Sequence, residues 1–138
     1  MAEYVVTCPR LLDEVMSSFV ANVTFDCRDA EAVARFWQAV TGYRVELRPD
    51  PGNPYWVLTS PDVAVPRLVF VTVPETKTTK NRVHLDIVPN ERSQRDEVDR
   101  LVAVGARVVD DRRSAEPGGW VVMSDPEGNE FCVEGGSA

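Results

Sequence analysis

The sequence predicts an α+β fold in which one βαβββ unit is written twice in pseudo-twofold arrangement, closing a cup-shaped mixed sheet with helices outside. Three observations predict it. Residues 22–26 and 84–88 share one alternation of apolar and polar side chains, and they start 62 positions apart. Each is followed by a stretch with apolar residues at helical spacing, and each of those stretches ends in glycine, Gly42 and Gly105. Three further β-rich segments separated by turn clusters then follow in both halves.

In the first unit, about residues 19–74, residues 22–29 alternate as a strand, with Val23, Phe25 and Cys27 on one face and Asn22, Thr24 and Asp26 on the other. Asp29 is placed to cap a helix over 30–41, whose Val33, Phe36, Trp37 and Val40 form a stripe at i, i+3, i+4 and i+7. Strands are expected over 43–48, 55–59 and 67–73, with proline- and glycine-rich turns between them. A polar connector over 75–81 links the units.

The second unit, about 81–134, repeats the programme. A strand is expected over 82–88, then a helix from Ser93 to Val104 with Val98, Leu101 and Val102 as its buried stripe. Strands follow over 106–110, 120–124 and 130–134, with a turn at Asp125-Pro126-Glu127-Gly128-Asn129. Residues 1–18 stand outside the repeat as an N-terminal extension, of which residues 1–15 are a dispensable arm or a dimer contact, and residues 19–138 are the domain.

Composition excludes several function classes. The 138 residues carry a formal charge of −7, which repels nucleic-acid phosphates and anionic lipid surfaces. No run of 18 apolar residues is present and the chain opens without a basic-then-apolar leader, so a cytoplasmic protein with no membrane span is expected. Cys8, Cys27 and Cys132 are odd in number and widely spaced, which suits reduced thiols rather than a disulfide framework.

If helices cover the apolar face, Val23, Phe25, Val83, Leu85 and Ile87 point towards them, and the opposite face is either solvated or the wall of a pocket. That face carries Asn22, Thr24 and Asp26, then His84 and Asp86, then Glu130, Cys132 and Glu134. His84 is the sole histidine and the natural acid/base, with Asp86 two residues on. Neighbours on one strand face are about 7 Å apart, so Asp86 is expected to act on His84 by charge or through water. Cys132 reads as a small buried hydrophobe, or as a nucleophile if His84 approaches it. Trp56 and Trp120 offer flat surfaces to a ligand, or fill the core. Lys77, Lys80 and Arg82 either draw in an anion or simply keep a connector solvated.

Asn81-Arg82-Val83-His84-Leu85-Asp86-Ile87 and the run from Gly118 through Asp125-Pro126-Glu127-Gly128-Asn129 to Val133, with Ala32 to Trp37 and Gly42-Tyr43, resemble the glyoxalase-like branch of the vicinal oxygen chelate superfamily, the glyoxalase/bleomycin resistance/extradiol dioxygenase fold. The resemblance covers about residues 19–134. It implies metal ligands from the first and last strands of each unit, at positions that here hold Asn22, His84, Phe70 and Cys132. Only His84 is a usual ligand, and a thiol stands where a carboxylate is expected, so no cofactor is predicted; a divalent metal stays open as the alternative, with Glu130 or Asp86 substituting as ligand if the strand phase differs. The resemblance implies a small-molecule-binding homodimer. Two functions fit: a metal-independent enzyme using His84 and Asp86, with Asn22, Thr24, Asp26, Trp56, Trp120, Glu130 and Cys132 about the ligand, or a bleomycin-resistance-type protein that sequesters a drug or metabolite without catalysis.

Overall fold

The computed structural model describes residues 17–114 and 118–135, so nearly all of the expected N-terminal extension lies outside the described residues. Strand β1 (Asn22–Cys27) leads into helix α1 (Ala30–Thr41) and strands β2 (Arg44–Arg48), β3 (Tyr55–Thr59) and β4 (Arg67–Thr72). Strand β5 (Asp86–Ile87), helix α2 (Gln94–Ala103) and strands β6 (Arg107–Asp111), β7 (Trp120–Ser124) and β8 (Glu130–Glu134) repeat that order. The mixed sheet expected from the sequence is built as two four-stranded sheets, β1-β4-β3-β2 and β5-β8-β7-β6. In each, the first strand runs parallel to the last and the other pairs are antiparallel. This is an α+β fold of two βαβββ units.

Helix α1 forms where its caps and stripe place it. The Asp29 carboxylate accepts from the Ala32 N–H at 3.0 Å, and Gly42, at φ 73°, donates its N–H to the Gln38 carbonyl. Val33, Phe36 and Trp37 are buried against Phe25, Leu58 and Phe70. In α2 the Ser93 hydroxyl accepts from the Asp96 N–H at 3.1 Å, as its position before the helical stripe suggested. Its buried face is Glu97, Val98 and Leu101, whereas Val102, expected in that stripe, is exposed.

The largest departure is at the start of the second unit. The strand expected over 82–88 shrinks to Asp86–Ile87, and Val83, expected to face a helix, is 76% exposed. Glu130 explains this: its carboxylate accepts from the Asn81 N–H and from Lys77 Nζ, both at 2.9 Å, and so draws the connector onto β8 before the strand can begin. Ladder bonding resumes at Leu85, whose carbonyl accepts from the Cys132 N–H.

Helix α1 also joins the two units. Phe36 and Trp37 meet Phe131 of β8 at ring-centroid distances of 6.0 and 5.0 Å, so both sheets share one core. The Asp125 carboxylate accepts from Trp37 Nε1, from the backbone N–H groups of Glu127 and Asn129, and from the Asn129 amide. The Asp-Pro-x-Gly-Asn run is therefore a turn whose first side chain clamps α1. Both ends of that helix are held from the second unit. The Glu127 carboxylate accepts from the N–H groups of Arg28 and Asp29 at the N-terminus, and the Arg100 guanidinium donates to the Ala39 and Val40 carbonyls at the C-terminus. Each charge has the sign that complements the helix dipole.

Candidate functional site

Strand register decides which side chains can meet. In the second unit Asp86 lies beside Cys132 in the parallel pair β5·β8, and Val122 of β7 lies beside Cys132 from the other side. Directly opposed residues on neighbouring strands share a face, so Asp86, Cys132 and Val122 stand together, with Trp120 beside Glu134 in the next row. His84, two residues before Asp86, joins them. Its Nδ1 lies 3.5 Å from Asp86 Oδ1 and 3.9 Å from Cys132 Sγ. The separation expected along one strand face does not apply, because β5 begins only at Asp86 and leaves His84 outside the strand, and Asp86 meets His84 directly.

The electrostatics set what each group can do. Burial pushes the Cys132 thiol up, and the neighbouring Asp86 carboxylate adds to the push by charge and hydrogen bonding. A thiol held protonated is a poor nucleophile, so the approach of His84 does not make Cys132 an activated one. Glu130, expected to line the pocket, lines a groove that His84 also lines and is bonded there to Asn81 and Lys77. Burial alone would raise its carboxyl, but the bonds from Asn81 and Lys77 outweigh it and hold the group below its ordinary value.

Thr24 lines that groove, of about 550 Å³, together with Asp26, His84 and Glu130, whereas Asn22 does not line it. Asn22 and Thr24 also meet on the sheet of the first unit. They line a cavity of about 370 Å³ on the first unit's sheet, floored by Val57, Val69 and Val71 and edged by Tyr55 and Arg67. There Asn22 Oδ1 accepts from Arg67 Nε at 2.9 Å. Asp26 is reached from the other groove, between β1 and the connector.

Two counterparts assigned from the sequence shift by one residue. Thr24 pairs with Val69 as Asp86 pairs with Cys132, so Val69 is the counterpart of Cys132, and Phe70 is a core residue stacked on Phe25 at 4.9 Å. Trp56 pairs with Phe70 and packs against the core, with the Arg35 guanidinium 5.0 Å from its ring centroid, while Tyr55 is the residue on the open face that matches the exposed Trp120. Sequence reasoning missed Tyr55 and Val122. Their signal was the alternation of β3 and β7, once the register with the last strand is known.

The donor set also tests a metal. Val69 offers no ligand atom, and Asn22 is a neutral donor already engaged by Arg67, so neither of these first-unit positions serves a hard divalent ion. The second unit alone brings His84, Asp86 and Cys132 together, their ligand atoms all within 4.8 Å of one another.

Two βαβββ units with an open polar face define the vicinal oxygen chelate class. Residues 22–134 match the glyoxalase-like domain, and the chain belongs to that family. No curated protein sequence matches the chain. Among solved structures, it is similar to a glyoxalase/bleomycin resistance protein/dioxygenase family enzyme from Burkholderia phytofirmans, with TM-score 0.66 and 17% identity over 85% of this chain and 98% of that one. It is similar to the fosfomycin resistance protein FosX from Mesorhizobium loti, with TM-score 0.65 and 14% identity over 92% and 94% of the two chains. The FosX protein of Listeria monocytogenes, solved with manganese and sulfate, gives TM-score 0.66 and 12% identity over 89% and 95%. Among the described residues no helix is long and apolar enough to cross a membrane.

Proposed function

We propose that this chain is a small-molecule-binding protein whose ligand lies on the open face of the second unit, anchored by His84 and Asp86. The observation that carries this is their convergence with Cys132 on a face that Trp120 and Val122 extend. An imidazole can both give and take a proton, and Asp86 orients the ring, so this face can pass a proton to or from a small polar substrate. Asn22 belongs to this reading as the wall of the first unit's cavity, and Thr24 both there and in the groove it lines with Asp26, His84 and Glu130. Cytoplasmic location belongs to it too, in keeping with the free Cys27 and Cys132.

A second reading, sequestration of a cationic or aromatic drug or metabolite, is favoured by one feature. Trp120, 43% exposed, stands beside Glu134 on the same face of a chain of charge −7. Turnover of the bound molecule separates the two readings.

The experiment is a thermal-shift and calorimetric survey of metabolites and antibiotics, repeated with His84→Ala. Ligands that stabilise the native protein should lose at least about tenfold in affinity, the equivalent of 1.4 kcal/mol. The fold should stay within about 1 kcal/mol of the parent, because His84 is exposed. Undiminished binding by His84→Ala would place the ligand elsewhere. A homodimer is part of the same proposal, since the edge strands of both sheets and Val108 and Val109 on β6 lie open to a partner. Light scattering should give twice the 15.4 kDa chain mass at micromolar concentration, and a monomer there would remove the dimer from the proposal.

A further inference from the structure

We infer that His84, Asp86 and Cys132 form a zinc site that discriminates against manganese and magnesium. It rests on the preceding proposal only in treating the second unit's open face as the working face, and it does not depend on which organic ligand that face accepts.

Geometry is the first argument. Zinc bonds of about 2.0–2.1 Å to imidazole nitrogen, 2.3 Å to thiolate sulfur and 2.0–2.2 Å to carboxylate oxygen, set tetrahedrally, put the ligand atoms about 3.4–3.6 Å apart. The His84 nitrogen lies 3.5 Å from the Asp86 oxygen and 3.9 Å from the Cys132 sulfur, and all three ligand atoms fall within 4.8 Å of one another. Small side-chain rotations close the remaining gap. Asp86 and Cys132 are register partners in one strand pair, so the backbone already fixes two of the three ligands.

Donor chemistry is the second. Thiolate and imidazole suit zinc, whereas magnesium and manganese favour carboxylate, carbonyl and water oxygens in octahedral sets. Only one of the three donors here is an oxygen ligand, and the first unit's matching position is Val69. Three protein ligands leave a tetrahedral ion one open position, the arrangement of a catalytic or substrate-binding centre rather than a closed structural one. His84 and Asp86 are exposed, which gives the ion an entry path, while Cys132 is only 6% exposed and shields the sulfur.

Binding replaces the Cys132 S–H bond by a zinc–sulfur bond and releases that proton to solvent, with no change of oxidation state. The ion then occupies the imidazole lone pair, so proton exchange through His84 belongs to the zinc-free protein alone.

The test uses the full chain without a metal-binding tag, stripped with chelator, and titrated with zinc, manganese and cobalt salts against a chromophoric chelator. One zinc per chain is expected, with manganese failing to compete. Cobalt should give the thiolate-to-metal charge-transfer band in the near ultraviolet. Cys132→Ser should abolish that band and weaken zinc by at least about 100-fold, the upper end of what losing even a supporting group around a metal costs. Asp86→Asn should weaken zinc while keeping the band, which preserves the test if the cysteine variant folds poorly. Glu31→Gln, on the exposed face of α1, should change nothing. Absence of saturable zinc binding, equal affinity for manganese, or a cobalt spectrum indifferent to Cys132→Ser would each overturn the inference. Repeating the ligand survey with zinc-free protein keeps the two proposals apart, because ligand binding without zinc leaves the preceding one standing.

Discussion

Asp125→Ala is expected to destabilise the protein by about 3–4 kcal/mol, read as a lower denaturation midpoint with an unchanged slope. The carboxylate is 2% exposed and accepts from the indole of Trp37, two backbone N–H groups of its own turn and the Asn129 side chain. Removing it leaves the buried Trp37 indole N–H and the part-buried donors of Glu127 and Asn129 without that acceptor, and opens a space beside Trp37, where α1 meets β8. Hydrogen bonds to an ionised acceptor contribute more than neutral ones, and orphaned buried donors carry the full desolvation cost. Asp125→Asn keeps the shape and one acceptor oxygen and should lose less. If Asp125→Ala costs under about 1 kcal/mol, the turn is not the clamp between the units.

The same turn shows what was legible in the sequence. Its proline, glycine and asparagine identified a turn, and alternation placed β3, β7 and β8 where they lie and β1 to within two residues, because a two-residue period on a half-buried sheet is a strong signal. Asp125 as the acceptor for Trp37 was not legible, since nothing in local pattern links positions 88 residues apart. The strand register explains the errors at the site. The offset between the units is 62 positions at the first strand, Thr24 to Asp86, but 63 at the last, Val69 to Cys132. A slip of one residue turns a side chain to the other face. That slip put Phe70 on the open face in place of Val69, and the same one-residue ambiguity put Trp56 there in place of Tyr55. The short β5 had a different cause. Alternation over 82–88 was real, but Glu130 captures Asn81 and Lys77, and a tertiary contact overrode the local pattern. The convergence of His84 with Asp86 goes with the same shortening, since His84 lies outside β5 and strand spacing does not govern it.

Arg100→Leu is expected to cost about 3 kcal/mol at neutral pH and less in acid, and both halves of that expectation come from Glu97. Glu97 is a charged residue on the buried face of α2, 5% exposed, paired with Arg100 at 2.5 Å and more loosely with Arg92 at 3.8 Å. The leucine variant leaves the Glu97 carboxylate inside with only the looser, exposed Arg92, and removes the donors that hold the Ala39 and Val40 carbonyls at the end of α1. Breaking a buried pair by removing one partner is more damaging than never having the pair, because the remaining charge stays desolvated. In the parent protein the Arg100 hydrogen bonds hold the Glu97 carboxyl below the ordinary 4.5 against the opposing push of burial. A carboxyl depressed on folding adds stability that is complete above its unfolded value and fades as pH falls through the folded one. In the variant burial dominates, the carboxyl rises above its unfolded value, and acid relieves the strain by protonating it. The stability gap between parent and variant should therefore be widest near neutrality. It should begin to narrow above 4.5 as the variant's raised carboxyl protonates, and go on narrowing below 4.5 until the parent's lowered carboxyl protonates too. Urea unfolding of both proteins across that interval measures it. A gap that stays constant with pH would mean that lost packing and capping, rather than the stranded Glu97 charge, account for the cost.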